Sequence, residues 1–496
     1  MKISIVGGGT AGLIAAIVIK KRLPKSDVTI IESSKLGIIG VGEGSTEHWR
    51  LFCEMCDIDI DELVDEAGAT HKYGIYFEGW STHTPQYFHS VNSYGFHHDA
   101  VPLYDWINVN GKLLTNSLTN PRFIENYIPV PFKVDENGND ISDSLSPHSS
   151  TNQFHFDTFK LNSYFHSLCK NRGISFVDDI VTKVNTDSEN GFIKSVELQN
   201  GEHFADFWID ASGFYRVLMS EIGNTEWSSY SKYLLVDSAS PFPTPPDPNG
   251  EIRPYTRARA ASAGWIWEIP TQTRRGNGYV YSSKHIDEES VINELQEATG
   301  YTVESPRFIH YDSGYLKTQW HKNCVAVGLA SSFIEPLEAT SISTAIQQAR
   351  LLCTFLGSYE PWHTASPKRY NEIMNDFHEN LVSMIALHYI SDRRDTQFWR
   401  DAADMEKPPM LKELLALWKE RSPSRNDPYG ANGYELFQVA HLWHVAQGQG
   451  LVSKDISARM LSEYGTIDSS KKELDNFRNS FLQSRSERKH HEVFKR

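Results

Sequence analysis

Three features of the sequence predict an α/β fold. KISIVGGGTAGLIAAIVIKKRL (residues 2–23) joins an apolar strand, a glycine turn and an apolar helix, and SDVTIIES (residues 26–33) is a second strand. This β-turn-α-β order is typical of a parallel sheet with right-handed crossovers. Long amphipathic patterns such as KRYNEIMNDFHENLVSMIALHYI (residues 368–390) dominate after Pro361 and predict a mostly helical C-terminal part.

Between these two parts, irregular and strand-like segments follow one another. The stretch from about Leu103 to Ser150 is rich in Asn, Pro, Asp and Ser and predicts irregular excursions from the core. ISFVDDIVTKVNTD (residues 174–187), GFIKSVELQNG (residues 191–201) and HFADFWIDASG (residues 203–213) alternate apolar and polar residues and predict antiparallel strands. The basic tail RSERKHHEVFKR (residues 485–496) predicts a solvated helix end.

Length and charge exclude several classes of protein. The 496 residues exceed what one hydrophobic core usually organises, so we expect two or more lobes. A net charge of −15 without a basic stripe argues against nucleic acid as a partner. No apolar run approaches the roughly 20 residues of a membrane span, and MKISIVGGGTAG is typical of a buried strand and not of a signal peptide. We therefore expect a cytoplasmic protein without a membrane partner. Whether the chain forms a homo-oligomer stays open.

Five cysteines are too few for a disulfide scaffold. Cys53 and Cys56 form a single CxxC in RLFCEMCDIDIDEL (residues 50–63), a spacing that can serve redox or zinc chemistry. No second CxxC or nearby histidine pair completes a zinc site, and the segment has a helical pattern. We predict two half-buried thiols and no metal site.

The glycine turn has the spacing of a dinucleotide-binding site. Gly7, Gly9 and Gly12 fit GxGxxG directly after a strand and directly before a helix. Glycines let a pyrophosphate approach the backbone, and the helix N-terminus supplies N–H groups and a partial positive charge. Glu32 ends the second strand, where a carboxylate can accept hydrogen bonds from ribose hydroxyls. The combination predicts dinucleotide binding.

A second small-residue turn favours FAD over a nicotinamide cofactor. NCVAVGLASSFIEPLEATSIS (residues 323–343) places Gly328 after an apolar strand and before a helix. Such a late turn suits an FAD fold, in which distant segments close around the flavin. Since the chain has no second GxGxxG, we expect a separate flavin reductase to supply the electrons.

The stretch GWIWEIP (residues 264–270) predicts a short strand with a paired indole surface. Trp265 and Trp267 share one face because side chains alternate with a period of two, and Pro270 is expected to end the strand. Most aromatic pairs in strands fill cores. A functional role for this tryptophan pair depends on whether other motifs of the same site occur elsewhere in the chain.

Taken together, the motifs resemble those of the flavin-dependent halogenases of the tryptophan-halogenase type. They run in that family's order and cover most of the chain. GVGEGSTEHWR (residues 40–50) further resembles a phage-encoded branch, which would place the enzyme in the cytoplasm of an infected host. The matching segments are GGGTAG at the FAD turn, GVGEGS (residues 40–45) at the flavin strap, HKYGIYFEGW (residues 71–80), GWIWEIP, GNGYVYSS (residues 276–283), FIEPLEATS (residues 333–341), and SDRRDTQFW (residues 391–399) through to GQGL (residues 448–451).

The resemblance implies an FADH2-dependent halogenase. Reduced FAD, oxygen and halide would give hypohalous acid, a small electrophile that travels to an aromatic substrate held elsewhere, and Trp265 and Trp267 would form a wall that keeps the substrate off the flavin. Lys72 matches the family's catalytic lysine: its ammonium can donate to hypohalous acid, or its neutral amine can form a haloamine. Glu338 matches the active-site glutamate, which could orient the oxidant or take the ring proton. Glu335 is expected to be a structural acid.

The resemblance also implies cofactor and halide contacts. The backbone amides of Thr340 and Ser341 are expected to bind the halide. Ala339 replaces the family's usual Ser, and Ser341 its usual Gly, so the halide pocket is altered and we expect bromide or iodide to be favoured over chloride. The residues expected around FAD are Gly7, Gly9, Thr10, Ala11, Gly12, Glu32, Gly40, Val41, Gly42, Glu43, Val181 and Gly328.

Two segments bear on the substrate. PQYFHSVNS (residues 85–93) aligns with the segment that sandwiches the indole in tryptophan halogenases, but Val91 stands where an aromatic residue is usual. AHLWHVAQGQGL (residues 440–451) lacks the Asn and paired Tyr that fix the amino acid's backbone, and leaving a zwitterion's charges desolvated and unpaired costs several kcal/mol. We expect an electron-rich aromatic other than free tryptophan, such as a phenol or an indole. The residues expected at the substrate are His89, Val91, Phe437 and Trp443.

Two other functions stay open: a flavin-dependent monooxygenase or reductase of the same fold, and an FAD-binding protein without catalysis. The first explains the FAD turn but not the joint presence of Lys72 and GWIWEIP.

The resemblance also divides the chain into alternating parts. The parts are 1–102 (FAD-binding core, first part), 103–150 (irregular substrate-side insertion), 151–215 (FAD-binding core, second part), 216–310 (substrate-side β region with GWIWEIP), 311–360 (FAD-binding core, last part) and 361–496 (helical substrate-binding and C-terminal region).

Overall fold

The structure is a computed structural model of the chain. It describes residues 1–37, 43–91, 101–111, 121–129, 133, 135–223, 226–424, 426–427, 430, 433–464, 472 and 487–494.

Strands and helices alternate through the first two thirds of the chain. The strands are β1 Lys2–Val6, β2 Asp27–Glu32, β3 Glu43–Gly44, β4 Thr70–Lys72, β5 Ile75–Glu78, β6 Gln86–His89, β7 Tyr127–Pro129, β8 Gln153–Phe156, β9 Ser175–Asp178, β10 Val181–Thr186, β11 Ile193–Leu198, β12 Gly201–Phe204, β13 Phe207–Asp210, β14 Trp227–Ser229, β15 Ser238–Thr244, β16 Thr256–Ala260, β17 Gly264–Pro270, β18 Arg275–Tyr281, β19 Ile309–His310, β20 Gly314–Leu316, β21 Trp320–His321, β22 Cys324–Ala326, β23 Ser332–Phe333 and β24 Glu487–Lys489.

Helices dominate after β23. The α-helices are α1 Thr10–Arg22, α2 His48–Met55, α3 Ile60–Ala67, α4 Val101–Val109, α5 Thr158–Asn171, α6 Val217–Glu221, α7 Glu288–Thr299, α8 Thr340–Leu356, α9 Ala365–His388, α10 Gln397–Asp404, α11 Pro409–Leu417, α12 Val439–Gly448 and α13 Lys454–Tyr464. Single turns of 3₁₀-helix lie at Pro121–Glu125, Ser142–Ser144, Pro147–Ser150, Gly213–Tyr215, Gly328–Ala330, Pro336–Glu338 and His490–Phe494.

The central sheet has the strand order β21-β22-β13-β1-β2-β9. Its pairings are parallel except that of β21 with β22, so the predicted α/β fold is confirmed. β1 lies between β2 and β13, and the glycine turn leaves its carboxyl end. α1 follows, is buried from Gly12 to Ile19, and packs between α5 and α8. Because α1 is apolar on every side in this stretch, it belongs inside the protein.

A second, mixed sheet has the order β19-β15-β18-β17-β16-β5-β6. Its pairings are antiparallel apart from that of β16 with β5. GWIWEIP forms β17 near the middle, as predicted. The prediction that Pro270 ends the strand is confirmed, since Pro270 is the last residue of β17 and forms its last pair with Arg275 in β18; a proline is tolerated in the last position because no further N–H is needed there.

A small sheet, β3-β8-β4, connects the central sheet to the mixed sheet, since β3 follows β2 and β4 precedes β5 along the chain. In it Lys72 lies opposite Gln153, and Glu43 lies opposite Phe156. β4 and β5 are separated by two residues, so the small sheet leads directly into the mixed sheet. This connection fixes Lys72 close to the strands that carry the substrate-side residues.

Three predictions about the middle of the chain need correction. β9 and β13 are not antiparallel strands but parallel members of the central sheet, next to β2 and β1; only β10, β11 and β12 form the predicted antiparallel ladder of this region. Alternation of apolar and polar residues reports two unlike faces and does not report strand direction. The stretch expected to be irregular contains α4 and β7.

The C-terminal third is helical from α9 to α13, as predicted, but its tail is not a solvated helix end. β24 pairs with β7, and His490 is fully buried, with Nδ1 3.0 Å from the carbonyl oxygen of Ile252. The Phe494 ring packs 5.3 Å from that of His71, the neighbour of Lys72. The tail is rich in charged residues, so its sequence did not indicate that His490 is buried or that Phe494 packs on His71.

The two cysteines of the CxxC segment were predicted to be half-buried thiols. Cys53 and Cys56 lie on and just after α2 as free thiols. Both are fully buried and not half-buried, and burial raises the pKa of Cys56 to about 12, which keeps it an inert thiol.

No helix in the described part of the chain is long and apolar enough to cross a membrane. The division of the chain into functional parts stays a prediction.

Candidate functional site

The glycine turn is packed so tightly that side chains are excluded at two of its positions. Gly7 has φ +118°, and a Cβ there would lie 2.2 Å from the carbonyl oxygen of Ala211. A Cβ on Gly12 would lie 2.1 Å from the carbonyl oxygen of Gly7. These contacts bring β1, β13 and α1 together, so both glycines serve the fold of the turn.

Gly9 differs, because a Cβ there would meet no described residue within 4 Å. Gly9 is the N-cap of α1, and no side chain caps the helix. The first N–H groups of a helix have no partner within it, so Thr10 and Ala11 present free donors to the open side of Gly9. An open, uncapped helix N-terminus is what a pyrophosphate requires, and the turn therefore fits FAD.

Glu32 lies against the same turn. A Cβ on Gly8 would lie 1.6 Å from Glu32 Oε2, so the middle glycine is needed to let the carboxylate approach. His166 Nε2 lies 2.5 Å from Glu32 Oε1. Val181, predicted at the cofactor, begins β10 two residues after Asp179, whose N–H donates to the Glu32 carbonyl at 2.8 Å. The sequence reading missed Gly8 and His166.

The other predicted cofactor residues lie in two places. Gly328 has φ +59°, and a Cβ there would lie 2.4 Å from the Cβ of Ala11, so the late turn contacts the glycine turn directly. Glu43 lies in β3, where burial raises its pKa to about 7. The predictions for Gly40, Val41 and Gly42 fall outside the described residues.

Lys72 ends β4 and is fully buried. Its Nζ donates to the carbonyl oxygen of Ser45 at 2.7 Å. A Cβ on Gly44 would lie 3.5 Å from that Nζ and 3.4 Å from the Cβ of Ala339, so Lys72 lies next to the start of α8. Desolvation lowers the pKa of Lys72 to about 8, and the charge of Glu338 opposes this shift.

Glu338 is buried in the 3₁₀ turn before α8. Its Oε1 accepts from His89 Nδ1 at 2.9 Å and from His388 Nε2 at 2.7 Å. Burial alone would raise the pKa of Glu338, but its electrostatic interaction with His89 and the hydrogen bonds from both histidines hold it below its usual range. Tyr87 is 3.1 Å from His388 Nδ1 and extends the network. His388 and Tyr87 were not expected from the sequence, and no motif marks them.

The predicted halide residues occupy a helix N-terminus. Ala339 has φ +55° and is the N-cap of α8, with no side-chain hydrogen bond to the helix. Thr340 is buried and Ser341 is exposed. Their N–H groups belong to the first turn, which has no intrahelical acceptors, and the helix dipole favours an anion there. The arrangement fits a halide beside Lys72.

Trp265 and Trp267 form the predicted pair on one face of β17, with ring centroids 6.2 Å apart. Trp265 Nε1 donates to Glu335 Oε2 at 3.1 Å. Desolvation raises the pKa of Glu335 to about 7, although its bonds from Trp265 and Tyr389 act in the opposite direction. A Cβ on Gly278 would lie 2.0 Å from Trp267, so the indole packs flat against bare backbone. Both indoles are buried and held by these contacts.

Of the residues predicted at the substrate, His89 lies against the Glu338 carboxylate. His89 ends β6, and its ring is 5.6 Å from that of His441. The Phe437 ring is 5.7 Å from His441 on the other side. Val91 has φ +51°, an uncommon conformation for a β-branched residue. Trp443 is placed differently: it packs 4.7 Å from Tyr104.

The sequence did not indicate which side chain holds the backbone after β6. Gln153 Nε2 donates to the carbonyl oxygens of Ser90 and Val91, at 2.9 and 3.1 Å, and so holds the unusual backbone after β6. Among the described residues, no cluster of three or more His, Cys, Asp or Glu side chains has the arrangement of a metal site.

Comparison with known proteins gives a consistent result. The family model described as "Tryptophan halogenase" matches residues 2–463. The chain is 30% identical over 450 residues to tryptophan 6-halogenase SttH of Streptomyces toxytricini, covering 86% of each protein. It is 30% identical over 500 residues to tryptophan 7-halogenase RebH of Lentzea aerocolonigenes, covering 92% of this chain and 91% of that one.

Solved structures extend the likeness to the whole fold. The crystal structure of the Streptomyces toxytricini enzyme superposes with a TM-score of 0.88 at 27% identity, covering 99% of both chains. A tryptophan halogenase from Shewanella frigidimarina superposes with a TM-score of 0.86 at 25% identity, covering 99% of this chain and 96% of that one.

Proposed function

The chain belongs to the tryptophan-halogenase family of flavin-dependent enzymes, and we propose that it halogenates an electron-rich aromatic other than free tryptophan, using Lys72 and Glu338. The family uses FAD, a halide and a separate flavin reductase. The observation that carries the proposal is the burial of Lys72 beside Glu338, at the start of the helix whose first N–H groups face the predicted halide site. A cation buried there without this chemistry would only destabilise the fold.

The glycine turn is proposed to hold FAD. The N–H groups at the start of α1 bind the pyrophosphate over the open side of Gly9, and Glu32 accepts from ribose hydroxyls. Reduced FAD supplies the electrons with which oxygen and halide are converted to hypohalous acid. Trp265 and Trp267 exclude larger molecules from the space between the sheets, since both indoles are buried and fixed by their contacts.

Lys72 is proposed to activate the hypohalous acid. The Nζ is anchored by the Ser45 carbonyl, and its remaining N–H groups are available to donate to the oxidant's oxygen. Donation withdraws electron density from the halogen and makes it more electrophilic. With a pKa of about 8, the ammonium form is the larger population at pH 7.

Glu338 is proposed to orient the oxidant and not to take the ring proton. A carboxylate whose pKa lies below its usual range is a weak base. Oε1 is occupied by His89 and His388, while Oε2 is buried without a hydrogen-bond partner in the described part of the chain. Oε2 is therefore the oxygen that can accept a hydrogen bond from a reactant. Its negative charge also stabilises the ammonium of Lys72.

An assay with purified components tests the proposal. The protein is incubated with FAD, a flavin reductase, NADH, bromide and a panel of phenols and indoles, and products are identified by mass spectrometry. We expect a product mass that depends on the halide. Lys72→Ala should abolish this product while reduced FAD is still oxidised, because the lysine acts after that step.

The matched control is Lys194→Ala, which removes an exposed lysine on β11 that pairs with Asp187. It should leave product formation unchanged. The assay includes a scavenger of free hypohalous acid. Near-normal halogenation by Lys72→Ala under these conditions would show that the lysine is not the activating group, and oxygenated products without halogen would favour a monooxygenase.

A further inference from the structure

Near Glu338 lie three buried histidines, each with at least one ring nitrogen that has no hydrogen bond to the described residues. His89 Nε2, His441 Nε2 and both ring nitrogens of His444 have no partner among the described residues. Leaving a buried donor or acceptor unpaired costs about 1–3 kcal/mol, and such groups in native proteins usually mark the place of a ligand or an ordered water. We call His89, His441 and His444 the histidine cluster.

The hydrogen bonds around His89 determine which of its nitrogens accepts. Nδ1 lies 2.9 Å from Glu338 Oε1, and an ionised carboxylate can only accept, so Nδ1 carries the proton. When the ring carries this proton alone, Nε2 is the accepting nitrogen. His89 is therefore polarised by Glu338 in the way that a carboxylate polarises a general-base histidine.

His441 has the opposite polarity. The backbone N–H of Gln438 donates to His441 Nδ1 at 3.0 Å, so the ring proton lies on Nε2. The oxygen of Glu47 lies 3.7 Å from that nitrogen, beyond hydrogen-bonding distance. Burial lowers the pKa of His441 to about 3, which keeps the ring neutral. The cluster thus offers one acceptor, His89 Nε2, and one donor, His441 Nε2–H.

These two rings lie 5.6 Å apart between centroids, at 83° to one another. A hydroxyl group can donate to one nitrogen and accept from the other, whereas an indole N–H only donates and an aryl ether only accepts. Building on the proposed function, we propose that the substrate is a phenol, that His89 and His441 bind its hydroxyl group, and that His89 takes the hydroxyl proton as the halogen adds to the ring.

The reaction balances without another reagent. A carbon–halogen bond forms as the halogen–oxygen bond of the hypohalous acid breaks, and the hydroxide released takes a proton from the Lys72 ammonium to give water. The phenol proton moves to His89 Nε2, so the ring becomes a neutral dienone and not a cation. The ring carbon then gives its proton to Lys72, and His89 returns its proton to the oxygen.

The second histidine on Glu338 supports this role. His388 donates from Nε2 to the same oxygen as His89, and its Nδ1 lies 3.1 Å from the hydroxyl of Tyr87. Burial keeps the pKa of His388 below its usual value, so its Nδ1 accepts from Tyr87. With two donors, Glu338 stays ionised, and its charge stabilises the imidazolium that His89 becomes during the reaction.

The test compares substrates that differ only at the hydroxyl. The enzyme, with FAD, reductase, NADH and bromide, receives equal amounts of 2-naphthol and 2-methoxynaphthalene, and the product ratio is compared with that given by dilute hypobromous acid alone. We expect the enzyme to prefer the naphthol by about tenfold or more beyond the reagent's own preference, which corresponds to about 1.4 kcal/mol.

Variants separate binding at the cluster from folding. His441→Phe removes the donor and should return the ratio to the reagent's value, and thermal denaturation of the variant shows whether it is folded. The control is His378→Phe on α9, a buried histidine whose two ring nitrogens also lack partners but which packs on Tyr315 away from the cluster. It should keep the preference.

A binding measurement gives a readout independent of turnover. The absorbance of 4-nitrophenol reports the state of its hydroxyl, so wild-type protein should shift the spectrum, and His89→Gln and His441→Phe should abolish the shift. A product ratio equal to the reagent's, with no spectral shift, would overturn the phenol assignment while leaving the halogenase intact. Failure to form any halogenated aromatic would instead contradict the proposed function.

Discussion

The ammonium of Lys72 donates a hydrogen bond to the backbone carbonyl of Ser45, with 2.7 Å between Nζ and the oxygen. Ser45 follows β3 and Lys72 ends β4, and both strands pair with β8. One small sheet therefore sets the position of the lysine and of the carbonyl that holds it. A buried ammonium with a fixed acceptor has few rotamers left, which is the preorganisation that electrostatic catalysis requires.

The pH dependence of halogenation should report Lys72. Its pKa of about 8 lies below the ordinary value because of desolvation, so the ammonium loses its proton as the pH rises through about 8. If the ammonium is the activating form, the yield of halogenated product per reduced FAD oxidised should be high at pH 7 and fall above pH 8. Product yield and oxygen uptake measured together from pH 6.5 to 9.5 check this. A yield that rises over the same range would instead indicate a haloamine formed from the neutral amine.

Removing the charge of Glu338 should reduce halogenation on the order of 10²-fold or more, the usual effect of losing one preorganised electrostatic group. Glu338→Gln keeps the shape and can still accept from His89 and His388, so folding should be preserved. The control is Glu335→Gln, three residues earlier, which alters a buried acid held by Trp265 and Tyr389. Equal losses in the two variants, measured as product per reduced FAD, would argue against a special role for Glu338.

Gly9→Ala should weaken FAD binding without destabilising the protein. The added Cβ meets nothing within 4 Å among the described residues, and Gly9 has an ordinary φ of −73°. The methyl group would project toward the place proposed for the pyrophosphate, and we expect about a tenfold loss of affinity or more, or about 1.4 kcal/mol. Flavin fluorescence titration gives the affinity and thermal denaturation gives the stability.

Gly8→Ala provides the contrast for that measurement. Its Cβ would lie 1.6 Å from Glu32 Oε2, so the carboxylate must move and both stability and affinity should fall. Should Gly9→Ala bind FAD as tightly as the wild type, the pyrophosphate is not held at this turn in the way proposed.

Trp265→Phe should destabilise the protein by about 1–3 kcal/mol, the range for losing a partner of a buried polar group. The indole N–H is one of two donors to Glu335 Oε2, and its removal leaves a buried acid with Tyr389 alone. Trp267→Phe is the matched control, since Trp267 Nε1 has no partner in the described residues. Urea denaturation of both variants compares them, and a larger loss for Trp267→Phe would contradict the assignment.

The halide preference should favour bromide or iodide over chloride. Ser341 adds a side chain at the N-terminus of α8, where the family has glycine, and heavier halides are both easier to oxidise and less tightly held by water. Equimolar chloride, bromide and iodide in one vessel, with a phenol substrate, give the preference from product masses. Ser341→Gly should move the ratio toward chloride. A wild-type enzyme that yields mainly the chlorinated product would refute this prediction.

Local features of the site could be predicted from the sequence because their signals are local. The spacing of Gly7, Gly9 and Gly12, the acid at Glu32 and the paired indoles of GWIWEIP depend on a few consecutive residues and on periods of two or 3.6. The structure places each of them on the predicted element.

The partners of Glu338 could not be predicted in this way. His388 and Tyr87 lie 50 and 251 positions from Glu338 in the sequence, and a histidine near the end of an amphipathic helix gives no sign of being buried. The direction of β9 and β13, and the pairing of β24 with β7, are also decided by distant neighbours. A pattern of apolar residues predicts which side chains are buried, but it does not predict which distant residues they contact.

The order of strands in the central sheet has a consequence for how the chain is made. β1 lies beside β13, and β13 beside β22, so the sheet cannot be completed until Cys324–Ala326 has been synthesised. At about 5–20 residues per second, that strand leaves the ribosome roughly 15–60 s after β1. The edges of β2 and β1 lack partners until β9 and β13 have been made, and the edge of β13 then lacks its partner until β22 follows. Long-range parallel pairing is also slow once the chain is free. The yield of active protein should therefore depend on the rate of translation and on chaperones more than on the stability of the finished fold.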